Sequence, residues 1–183
     1  MSSETPGLTL RAILSAIALV AACEGGSGTG AWQFNVDTVR SETDGSVRQT
    51  SWLRAVGEEG PEGAAQTDAV ILSFDCFPGN TSSTIMTDQA LRQGSVETRL
   101  KVDADPPRRV PGFAGTTASG GQVVFTIPQD SMLALLSGHQ RVTIEYADGA
   151  GSSRTVAVFP VAGLEKYREP FLAACAKRGG DDR

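Results

Sequence analysis

The sequence predicts an all-β body: a β-sandwich or open barrel of about eight or nine strands, with a short internal helix and a C-terminal helix. Three observations predict it. Short apolar runs alternate with polar residues at a period of two, the spacing of a half-buried strand. Gly-, Asn- and Asp-rich turn signals separate those runs. Only two segments, after Pro128 and from about Leu164, break the strand pattern and carry helix chemistry.

The first strand places Trp32, Phe34 and Val36 on one face and Gln33, Asn35 and Asp37 on the other. A Thr43-Asp44-Gly45 turn follows, and Val47 to Val56, with Trp52, reads as the returning strand. Gly57 to Thr67 (GEEGPEGAAQT) reads as a polar loop. Ala69 to Cys76 is the strongest buried strand, with Val70, Leu72, Phe74 and Cys76 sharing a face. Phe77-Pro78-Gly79-Asn80 turns the chain into a strand near Ser82 to Thr87. Val96, Thr98, Leu100 and Val102 alternate with charged residues, a half-exposed strand, and Pro106 to Arg109 is read as a loop. Val123, Phe125 and Ile127 mark a further strand. Pro128 to Ser137 is the internal helix, striped by Met132, Leu135 and Leu136 and ended by Gly138. Val142, Ile144 and Tyr146 form the next strand, Asp148 to Gly151 a turn, and Thr155 to Val161 the last strand. The closing helix runs from about Leu164 to Lys177, with Pro170 predicted to kink it. One domain, 31–178, and a frayed tail, 179–183, result.

The start of the chain reads as an export signal. An apolar run from Ala12 to Ala22, broken only by Ser15, follows Arg11. As a helix it would rise about 16 Å, roughly half of a bilayer core, so it suits a secretory signal better than a lasting span. Val20-Ala21-Ala22-Cys23 resembles the lipobox of bacterial lipoproteins, in which cleavage precedes a cysteine that then carries the lipid. Residues 1–22 are therefore expected to leave, with Cys23 as the lipid attachment and 23–30 as a flexible Gly-rich tether. Ordinary cleavage after Ala22, or a buried core helix in an uncleaved chain, are the alternatives. Several acyl chains on one cysteine would anchor the protein stably. Glu24 after the cysteine points to the outer membrane, with the body facing the periplasm.

Export would place Cys76 and Cys175 in an oxidising compartment, where pairing is expected. They lie 99 residues apart. The chain-entropy account gives closure of a loop of that size about 4.7 kcal/mol, less native strain. The alternative is two separately buried thiols.

Composition excludes several functions. With 16 basic against 21 acidic residues among 183, the chain lacks the basic footprint of a nucleic-acid binder. One histidine and three cysteines cannot build a His-rich or four-cysteine metal site. The Gly-rich stretches match no phosphate or dinucleotide pattern, so no cofactor is expected. A Ser-His-Asp site would have to use His139, which follows a helix-ending glycine and is read as a surface loop residue. Asp103 and Asp105 lack the further ligands of a calcium loop. Glu58, Glu59 and Glu62 sit where a loop could not fix two carboxyls at a working distance. Both tryptophans are read as packing residues. Arg99, Arg108 and Arg109 form a possible contact patch for an unidentified protein partner, with a solvated strand and loop as the plainer account.

The order of motifs resembles the periplasmic family of VasI-type proteins associated with type VI secretion, and related bacterial lipoproteins. The resemblance rests on a tryptophan strand (31–36), an Asp-Gly turn (41–45) and an apolar strand ending in Cys76. It continues through a Thr-rich strand (81–87), the Val96–Asp103 segment with prolines after it, and Val158 to Leu164 before a helix closing on Ala174-Cys175. It implies a secreted, β-rich accessory protein and no catalytic residues. The expectation is a lipid-anchored periplasmic accessory or binding module. The alternatives are an inhibitor of a periplasmic hydrolase, docking through 57–67 or 104–112, and a small hydrolase using His139 or Glu58.

Overall fold

A computed structural model describes residues 32–40, 45, 47–77, 80–147 and 154–176. Cys23, the tether, the tail 179–183 and parts of three predicted turns lie outside the described residues.

Among the described residues nine strands and two helices follow in order as β1 (Gln33–Arg40), β2 (Val47–Pro61), β3 (Asp68–Phe77), β4 (Asn80–Thr87), β5 (Gly94–Val102), β6 (Arg108–Thr117), β7 (Gly120–Phe125), α1 (Gln129–Leu136), β8 (Arg141–Ala147), β9 (Arg154–Pro160) and α2 (Glu165–Ala176). All pairings are antiparallel. The sheet runs β1-β2-β3-β4-β7-β6-β5-β8-β9, and β9 returns to β2. Eight strands thus form a closed barrel, and β1 lies outside the ring as a ninth. The all-β body with a C-terminal helix is as the alternation predicts. Closure is what the structure adds to the sandwich or open barrel.

Closure depends on the segment that composition marks as a polar loop. Residues 57–61 continue β2, and Glu58 to Pro61 pair with Val158 to Thr155. Only 62–67 turn outside a strand. The period-two pattern in fact runs on through Leu53, Ala55, Gly57 and Glu59, all buried. Glycine and glutamate mask it because neither reads as apolar. Gly57 is required by space. A Cβ there would fall 2.3 Å from the Val158 carbonyl oxygen and 2.5 Å from the Phe159 ring. Its absence lets the last barrel strand close over β2 while Phe159 fills the interior.

β6 also departs from the sequence expectation. Arg108 and Arg109, read as loop, begin a ten-residue strand. Its inward residues are Val110, Gly112 and Ala114, while Pro111 and Phe113 face out. Small residues inward and large ones outward invert the usual amphipathic signal, so alternation alone does not find it.

The barrel interior is filled, as expected of an eight-stranded ring. Leu53, Leu72, Phe74, Ile85, Leu100, Val123, Val142, Ile144, Ala157 and Phe159 are all fully buried or nearly so. The helices close one end. α1 has no side-chain cap at Pro128, and is held instead by burial of Met132, Leu133 and Leu136. Each such side chain contributes about 2 kcal/mol. Gln129 at its start donates to the carbonyls of Asp75 and Ser82, tying the helix to β3 and β4. α2 buries Phe171, which meets Phe34 edge-on at 6.2 Å. Cys175 of α2 is bonded to Cys76 at the end of β3, with their Cα atoms 5.8 Å apart. Trp32 completes this base: it is buried, and its indole donates to the Val161 carbonyl. Pro170 lies within α2, which continues through it.

Candidate functional site

Among the described residues, the side chains capable of chemistry gather in four groups. The first lies inside the barrel, at the end away from the helices. Alternation along β2 turns Glu59 inward, where it is 0% exposed. Thr87 of β4 and Tyr146 of β8 each donate a hydrogen bond to one of its carboxylate oxygens. β4 and β8 are the second neighbours of β2 around the ring, one on each side. One carboxyl group therefore spans the lumen and joins three strands that do not pair with one another. Burial pushes the Glu59 carboxyl above its ordinary range, with the charges of Asp88 and Asp68 adding to it; the two hydroxyl bonds act the other way. Burial also raises the Tyr146 phenol, and the Glu59 carboxylate adds to that rise. A buried, doubly bonded carboxyl is a cross-lumen tie between β2, β4 and β8.

The second group stands at the helix end. Asp103 follows β5 with a positive φ of 44°, a left-handed position that Asp tolerates better than most residues. Its carboxylate lies 3.0 Å from His139 Nδ1 and accepts the backbone N–H groups of Gln140 and Arg141. Desolvation would raise this carboxyl, but the bonds from His139, Arg141 and Gln140 together hold it below its ordinary value. His139 stands in the loop between α1 and β8, where it is half-buried and paired with Asp103. The nearby Ser137 hydroxyl donates to the Leu133 carbonyl of its own helix. The pair pins the α1–β8 connection to the end of β5.

The third group contains the predicted arginine patch. Arg99 and Arg109 stand opposite each other in the β5–β6 register. Arg99 reaches Glu145 at 3.8 Å, and Arg154 reaches the same carboxylate oxygen at 3.7 Å. Arg109 reaches Glu97 at 3.4 Å. Arg108, opposite Leu100, is exposed at the start of β6. Arg99, Arg109 and Arg154 are thus ion-paired on the surface over β6, β5, β8 and β9. Exposed pairs of this kind contribute about 0–1 kcal/mol each.

The fourth group covers the outer face of β1, β2 and β3, and sequence reasoning placed its tryptophan elsewhere. Trp52 points outward and is half-buried. The Arg54 guanidinium lies 4.6 Å from its ring centre, a cation–π geometry. The Trp52 indole donates to Asp37, and Asn35 donates to the other oxygen of Asp37. Arg54 also bonds Ser73 and lies 3.5 Å from Asp75, which accepts from the Ser73 hydroxyl. The signal was legible: Trp52 shares its parity with Arg54, not with Leu53 and Ala55. Beside this face is a pocket of about 410 Å³ at the fork where β1 and β9 share the same edge of β2. Val56, Glu58, Arg141, Val158 and Pro160 line it.

Among the described residues no group of three or more His, Cys, Asp or Glu is placed to hold a metal ion, and no helix is long and apolar enough to cross a membrane. Cys23 lies outside the described residues.

No protein-family model matches the chain, and no curated protein matches it. A solved structure does: invasion associated protein B from Bartonella henselae, at 12% identity and a TM-score of 0.50, over 80% of this chain and 94% of that one. At that identity the likeness concerns the fold, and the chain shares with that protein a β-barrel architecture over most of its length.

Proposed function

We propose that this chain is a lipid-anchored protein of the bacterial cell envelope that acts as an accessory or binding module and performs no catalysis. The observation that carries the reading is the Cys76–Cys175 bridge, which ties the middle of the chain to its last helix. Such a bridge suits an oxidising compartment, and it stands in a chain whose first residues resemble a lipoprotein signal ending at Cys23. The arrangement of polar groups supports a binding role. Glu59 is sealed inside the barrel, His139 is held at a loop junction, and Trp52, Arg54 and Asp37 lie on an accessible outer face. The resemblance to secretion-associated periplasmic proteins makes a secretion apparatus the first place to seek the partner.

Metabolic labelling with radioactive palmitate tests the anchor. The full-length chain should take up label and fractionate with outer membranes, and a Cys23→Ser variant should lose both properties. Label persisting in that variant overturns the anchor. A pull-down from detergent-solubilised membranes then identifies the partner, and Trp52→Ala should weaken its capture.

A further inference from the structure

The strand outside the ring has one edge unaccounted for. β1 pairs with β2 through eight consecutive residues, from Gln33↔Arg54 to Arg40↔Val47, and with no other described strand. Alternate residues of β1 therefore direct their backbone N–H and C=O groups away from the sheet. Exposed edges are ordinarily blunted by charged residues, lysine above all, by proline, by a bulge or by a covering element. β1 (QFNVDTVR) has no lysine or proline, its register is unbroken, and its charges are limited to Asp37 and Arg40. α2 meets β1 through Phe34 and Phe171, near one end. Beyond that contact Val36, Asp37, Thr38 and Arg40 are exposed, and Val36 is 38% exposed in the middle of the strand.

We propose that β1 is a self-association edge, and that two copies of this chain pair β1 to β1 in antiparallel fashion about a two-fold axis at Val36. The sequence of the strand favours a second copy as the occupant. A two-fold axis at Val36 sets Val36 against Val36 of the second copy and buries both. Phe34 then faces Thr38 of the second copy. Asn35 faces Asp37 of the second copy, and the reverse. That pairing repeats across the interface a contact already made within one chain, where Asn35 donates to Asp37 at 2.7 Å. Opposed residues keep the same parity, so the α2-bearing faces of the two sheets stay on one side. Phe34 of each copy lies toward opposite ends of the paired strands, so the two α2 helices do not compete for space. Shifting the axis to Asp37 would oppose two carboxylates, which is destabilising. Shifting it to Asn35 shortens the overlap. The interface is isologous, the usual form of a closed dimer, and it is independent of whether Cys23 carries lipid.

The test uses the full-length chain in detergent. Sedimentation should give a dimer for the wild type and a monomer for Asn35→Asp, which places like charges at both outer positions. Val36→Cys should form a disulfide-linked dimer under mild oxidation, and Val47→Cys, at a more exposed site on β2, should cross-link far less. Both cysteines stand at exposed positions, and the Cys76–Cys175 bridge of each variant, read by thiol counting, reports that the barrel has folded. A monomeric wild type overturns the proposal. Equal cross-linking at the two positions, or a Val36→Cys adduct with a different protein in native membranes, overturns it as well.

Discussion

Removing the Glu59 carboxyl tests whether one buried group holds three strands. In Glu59→Ala the hydroxyls of Thr87 and Tyr146 lose their acceptor inside the barrel. An unsatisfied buried donor costs about 1–3 kcal/mol, so two cost about 2–6 kcal/mol before the cavity is counted. Relief from burying a carboxylate offsets part of this, leaving an expected loss of about 2–4 kcal/mol. With a urea slope of about 2 kcal/mol per molar, the midpoint should fall by about 1–2 M. Glu59→Gln keeps the shape and one acceptor, and separates charge from hydrogen bonding. The folded carboxyl titrates above its ordinary value of 4.5. Between that value and the raised one the folded state holds more protons than the unfolded state. The stability it contributes is therefore fully present below 4.5 and is lost as pH rises through the folded value. Glu59→Gln should consequently gain on the wild type as pH rises from about 4 to 8, and Glu59→Ala should remain destabilised throughout. Urea unfolding at several pH values, with the disulfide intact, measures both. A loss in Glu59→Ala below about 1 kcal/mol, or a wild type that gains on Glu59→Gln with rising pH, refutes the reasoning.

Three further outcomes follow from the geometry. Replacing Cys76 and Cys175 together by serine removes a 99-residue closure and should cost up to about 4.7 kcal/mol, read as a lower denaturation midpoint. Gly57→Val should prevent closure of β2 on β9, because backbone and the Phe159 ring both lie within 3 Å of the new Cβ; the loss should exceed the 1–3 kcal/mol usual for overpacking and should abolish near-ultraviolet circular dichroism. Asp103→Asn keeps a side chain that tolerates the positive φ but removes the charge. Since the folded Asp103 carboxyl is held below 3.8, its contribution is present above that value and lost as pH falls through the folded one, so wild type and variant should converge in acid.

Much of the barrel was legible because its strands bury apolar residues at period two. β3, β5 and β8 carry that pattern openly, with Leu72, Leu100 and Ile144 inward. It failed where the inward residues were not apolar. Gly57 and Glu59 continue β2 under the appearance of a loop, and Gly112 and Ala114 hide β6 behind an outward Phe113. The candidate site was harder to read for the same reason. Glu59 stood among three nearby glutamates, and only its parity with Leu53 and Ala55 distinguished it. Trp52 and Trp32 looked alike as packing residues, yet one seals the base and the other stacks under Arg54 on the outer face.

The sequence by itself determined the all-β class, the internal and C-terminal helices and the two cysteines available for pairing, because these follow from local periodicity and residue chemistry. Tertiary structure alone decided that β9 returns to β2 to close the ring, that β1 pairs among the described strands with β2 alone, and that Glu59 reaches Thr87 and Tyr146 across the lumen. Those facts depend on which strands become neighbours. Strand neighbours are set by how the whole sheet twists and closes, which no local run of residues encodes.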